Sequence, residues 1–67
     1  MGTVAKVVEI TSASEKSFED AIAVGVKKAS ESIQGITGAW VQDMKVVVND
    51  GNVTEYRVNL KLTFILK

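Results

Sequence analysis

The sequence contains no cysteine and no histidine. The first absence rules out disulfide staples, and the two together argue against a structural zinc site. They also remove the usual parts of a nucleophile–base pair, so the chain is not expected to be an enzyme. Nor is there a surplus of either charge: Lys plus Arg number 8, Asp plus Glu number 8, and the formal net charge is +0. That balance argues against a nucleic-acid binder working through phosphate neutralisation. No apolar run approaches the roughly twenty residues of a membrane span, and the N-terminus shows no basic-then-apolar leader. A soluble cytoplasmic protein with no membrane partner is the expectation. Phosphate-cradling glycine loops are lacking too, because Gly35-x-x-Gly38 follows a helical stretch instead of preceding one. Finally, 67 residues are few. They make one domain (1–67), near the lower limit for a chain that folds alone, so burial against other copies of the chain is expected to supply stability.

What is present is alternation. From Glu55 to Leu66 the even positions (Tyr56, Val58, Leu60, Leu62, Phe64, Leu66) are apolar or aromatic. The odd positions from Glu55 to Thr63 are all polar or charged. Period-2 alternation over about a dozen residues predicts a strand twice the usual length of about six. Its even face meets a core. Its odd face, with Arg57, Asn59 and Lys61, is where a function has to sit.

The remaining elements follow in order. Thr3 to Thr11 is rich in β-branched residues and bounded by Gly2 and a Ser-Ala-Ser cluster, which predicts a strand. Neither of its faces is wholly polar, so neighbours on both sides are expected. Phe18, Ala21, Ile22, Gly25, Val26, Ala29 and Ile33 then recur at three- and four-residue steps. This marks an amphipathic helix running from a Ser14 N-cap to about Gln34 and ended by Gly35 in a left-handed cap. Gly25 on the apolar stripe predicts close approach of helix and sheet. A further strand spans Ala39–Val48, where Val41 falls on the odd face but Met44, Val46 and Val48 on the even one. A bulge near Gln42-Asp43 returns these residues to one face. Asn49-Asp50-Gly51-Asn52 is the hairpin turn, Gly51 supplying positive φ. The resulting β-α-β-β order is an α+β fold, a three-stranded antiparallel/mixed sheet wrapped on one helix. The helix connection places the first two strands parallel, in a right-handed crossover. One sheet face has nothing in this chain to cover it, and that predicts a homo-oligomer.

These residues resemble a family. The segment Lys6-Val7-Val8-Glu9-Ile10, the helix opening Ser14-Glu15-Lys16-Ser17-Phe18 and the closing Glu55-Tyr56-Arg57-Val58…Phe64 are similar, in order and spacing, to the dodecins. The resemblance covers the whole chain. It implies a hollow homo-dodecamer that binds, stores or sequesters flavin (FMN, FAD or riboflavin) without catalysis, the flavins stacked in pairs at two-fold interfaces. The family's flavin site uses a tryptophan at the start of the second strand and a glutamine just after the tyrosine of the third. Aligned on Val41, those positions hold Gly38 and Arg57 here. Trp40 lies two residues beyond Gly38, so both point to the same face of an extended strand. Gly38, Trp40 and Arg57 are therefore the candidate site residues. On the functional reading Trp40 is an aromatic wall for a small aromatic ligand and Arg57 a cation for an anionic group such as a flavin phosphate. On the alternative reading Trp40 fills a subunit interface and Arg57 pairs with a carboxylate there. A third possibility keeps the fold without flavin and binds ions or another partner, with carboxylates gathered from several subunits.

Other chemistry is thin. The carboxylate pairs are Glu19–Asp20, which point apart on a helix, and Asp43 with Glu55 across the hairpin. The Asn49–Asn52 turn lacks the length of a calcium loop. Asn52-Val53-Thr54 fits the glycosylation pattern, read as chance without an export signal.

Overall fold

A computed structural model describes residues 2–67. Its elements are β1 (Ala5–Ser14), α1 (Phe18–Ser30), β2 (Ile36–Asn49) and β3 (Asn52–Ile65). The sheet order is β1-β3-β2, and β3 is antiparallel to both neighbours. The first two strands are thus parallel in direction, as the helix connection predicts, but β3 lies between them. β3 is central because its alternation is the longest. Val58, Leu60 and Leu62 are 0–1% exposed and, with Ala21 of α1, form the core. Each such burial stabilises by roughly 1.5–3 kcal/mol.

Four expectations about the first half of the chain are corrected. β1 is an edge strand paired only with β3, so its mixed faces do not reflect two neighbours. It also continues through Ser12–Ser14, paired with Val58 to Tyr56. Helix and strand approach closely here, for a Cβ on Gly25 would lie 2.8 Å from Ser12 Cβ. Small serines on the inner face let the helix come down onto the strand. Consequently the N-cap is Ser17, not Ser14. Ser17 Oγ accepts from the Asp20 backbone N–H at 2.9 Å, while buried Ser14 donates its hydroxyl to the Asp20 carboxylate at 2.6 Å. The helix ends earlier than expected, at Ser30 with Glu31 as C-cap. Gly35 does adopt the left-handed conformation (φ 81), but there it launches β2.

The helical stripe lies over β1 and β3, with Phe18, Ile22, Val26 and Ala29 against the core. Phe18 meets Tyr56 edge to face at 5.2 Å. Leu66, expected on the inner face, is 48% exposed just beyond β3.

The hairpin shows the predicted irregularity. Asp50 (φ 54) and Gly51 (φ 79) form its tip. Counting back from the tip, Val48 pairs with Val53, but Val47 pairs with Glu55, leaving Thr54 extra on β3. A compensating shift leaves Gln42 extra on β2, between Val41 and Asp43. Between the two shifts Met44 lies opposite Val58 and Val46 opposite Tyr56. A regular register would set them against Arg57 and Glu55. The bulge at Gln42 thereby keeps the apolar residues on the helix face. Beyond the reach of α1, Met44, Val46, Val48 and Val53 remain 39–58% exposed.

Candidate functional site

The face of the sheet turned away from α1 is organised as rows across all three strands, because residues opposite one another in register share a face. One row is Gly38–Thr63–Val7, the next Trp40–Lys61–Glu9, and then Asp43–Asn59–Thr11 and Lys45–Arg57–Ala13. All these side chains lie opposite the core-facing set, by alternation along each strand and, for Asp43 and Lys45, by the bulge at Gln42.

Each central residue of β3 is tied to its neighbours. The Lys61 ammonium lies over the Trp40 ring, 5.3 Å from its centroid, within the range of a cation–π contact. On its other side it reaches Glu9 Oε1 at 4.0 Å. In the next row Thr11 donates its hydroxyl to Asn59 Oδ1 at 2.7 Å, and Asn59 Nδ2 donates to Asp43 Oδ1 at 2.6 Å. Arg57 is occupied differently: its Nε–H donates along its own strand to Glu55 Oε2 at 2.7 Å.

The three predicted site residues are thus only partly brought together. Gly38 and Trp40 are neighbours on this face, with Trp40 64% exposed. A Cβ built on Gly38 would meet nothing within 4 Å, so the space beside the indole is open. Arg57 lies four residues along β3 from the partner of Trp40, about 13 Å away at strand spacing. The carboxylates of Asp43 and Glu55 do not pair, since Asp43 faces Asn59 and Glu55 faces Val47, two rows apart. Among the described residues no cluster of three or more His, Cys, Asp or Glu is poised to hold a metal ion. Among the described residues no helix is long and apolar enough to cross a membrane.

Sequence reasoning placed Lys61 on this face but missed its contact with Trp40, and missed Glu9, Val7 and Thr11 as members of the same surface. Only the pairing of β1 with β3 reveals them.

A three-stranded open sheet, one covering helix and a polar, uncovered second face define a small α+β subunit. The sequence profile described as Dodecin matches residues 4–67, and the chain belongs to the dodecin family. Solved structures agree. Dodecin from Streptomyces coelicolor superimposes with a TM-score of 0.93 at 26% identity, covering 97% of this chain and 93% of that one. A dodecin variant from Thermus thermophilus gives 0.92 at 29% identity, covering 98% of each chain. The calcium-chelating antigen calcium dodecin of Mycobacterium tuberculosis gives 0.83 at 32% identity, covering 96% and 91%. A search of curated protein sequences finds no match.

Proposed function

We propose that the chain is a non-catalytic binding protein that assembles as a homo-dodecamer and holds a flat aromatic ligand, a flavin foremost, against the outer face of its sheet. The observation that carries this reading is the Trp40 indole, 64% exposed on an uncovered face beside the open space at Gly38. An isolated tryptophan held there is costly to leave in water and suited to stacking. A ring fits these residues: Trp40 offers the aromatic wall and Gly38 the room next to it. Arg57, about 13 Å along the strand, stands where the tail of a ligand ends, and not its ring. The absence of histidine and cysteine from the sequence supports binding without chemistry.

The test is titration of riboflavin or FMN with the purified oligomer, following flavin fluorescence, with light scattering to give the mass. Quenching is expected in the wild type and is lost in Trp40→Ala while the mass is retained. Undiminished flavin fluorescence at saturating protein sinks the flavin reading. If Trp40→Ala instead dissociates the oligomer, Trp40 belongs to a subunit interface.

A second reading has its own support. The M. tuberculosis relative is a calcium dodecin, and the Asp43–Asn59–Thr11 row offers side-chain oxygens on the same uncovered face. Calcium prefers six to eight oxygens, so such a site needs carboxylates from more than one subunit. Calorimetric titration with calcium distinguishes it, since this reading requires heat of binding that Asp43→Asn removes.

A further inference from the structure

We propose that Lys61 is the specificity-determining residue of the Trp40 site, selecting flat aromatic ligands that present a hydrogen-bond-accepting or anionic edge. The inference rests on the ring-binding reading above. A ring that takes the open space at Gly38 stands on the row Gly38–Thr63–Val7. That floor is small or apolar: Gly38 leaves open space, and Val7 is 54% exposed. A ring standing on it against Trp40 brings its lower edge beside Lys61, the centre of the adjoining row.

Lys61 is fixed better than a free surface lysine. Its side chain is 32% exposed, and its ammonium is drawn to the Trp40 ring on one side and to Glu9 on the other. Neither contact consumes it. The Glu9 oxygen is 4.0 Å away, beyond hydrogen-bond reach, and its side chain is 65% exposed, while a π face accepts no conventional hydrogen bond. An ammonium carries three donors and no acceptor, so its remaining N–H groups need oxygen or nitrogen acceptors. A ligand edge bearing carbonyls or an ionised group supplies them, and charge-assisted hydrogen bonds are about twice as strong as neutral ones. A ring without such an edge displaces water from the ammonium and returns nothing, which costs affinity.

Two probes on the intact oligomer test this. Riboflavin carries a carbonyl edge. Anthracene, a flat tricycle of similar width with no heteroatom, has no acceptor on any edge. The wild type is expected to prefer riboflavin. Lys61→Met should weaken riboflavin by about tenfold, the equivalent of one charge-assisted hydrogen bond, and leave anthracene unchanged or tighter. Lys61→Arg, which keeps the charge and donors, should restore most of the preference for riboflavin. Unchanged oligomer mass and circular dichroism in both variants separate selection from structural damage. If both probes bind and Lys61→Met weakens them equally or not at all, the selectivity role is overturned while ring binding stands. If neither probe binds the wild type, it is the ring-binding reading that has failed, and with it the role given to Lys61.

Discussion

The two faces of β3 are built on opposite principles. On the inner face Val58, Leu60 and Leu62 are almost wholly buried and make no polar contact that needs a particular partner. On the outer face Arg57, Asn59 and Lys61 remain partly exposed, and each is held by named neighbours: Glu55, Thr11 with Asp43, and Trp40 with Glu9. The inner face is insensitive to identity so long as volume is conserved. The outer face adds little stability, because exposed ion pairs contribute about 0–1 kcal/mol each. What it fixes is arrangement. One side of the strand therefore sustains the fold, and the other is free to carry specificity.

Three substitutions measure that asymmetry. Leu60→Ala is expected to have the largest effect, destabilising by about 2–5 kcal/mol through lost burial and a residual cavity. In a small domain that is a large share of the total, so denaturant titration should show a much lower midpoint. An effect under about 1 kcal/mol would mean that the inner face is looser than its burial says. Gly25→Ala ranks second. Alanine is the better helix former by about 1 kcal/mol, yet its Cβ would press to 2.8 Å of Ser12 Cβ. Overpacking costs of about 1–3 kcal/mol should win, lowering the melting temperature. Gly25→Ala paired with Ser12→Gly should recover part of the loss. Asn59→Ala is the smallest: it removes two exposed hydrogen bonds at a cost of about 1 kcal/mol or less. A larger loss would show that the outer face is buried in the assembled protein.

Much of this was legible in the sequence. The alternation of Tyr56 to Phe64, the apolar stripe of Phe18 to Ala29, the turn at Gly51 and the bulge at Gln42 each follow from local pattern. So does the placing of Gly38, Trp40 and Arg57 on one face. The rest depends on distant contacts. Ser12–Ser14 has the composition of a turn, and it stays extended because it pairs with Val58 to Tyr56 of β3. Ser14 looks like a cap until β1 is paired with β3. Which outer residue meets Trp40 was equally hidden: alternation offers Arg57, Asn59 and Lys61 alike, and register chooses Lys61.

The paired bulges of the hairpin have a broader consequence. Thr54 is extra on one strand and Gln42 on the other, so the slip between them is closed at both ends. Trp40 still faces the residue that simple counting from the turn assigns to it. The arm between the bulges can thus keep its own phase, with Met44 and Val46 on the helix side, without disturbing the placing of Trp40. The two surplus residues form a matched set. Loss of either alone propagates a one-residue error down β2, rotating Trp40 toward the helix and Val41 outward, whereas loss of both leaves Trp40 against Lys61 and confines the damage to the arm. Chain length in this hairpin is therefore constrained as a difference between two strands and not as a sum.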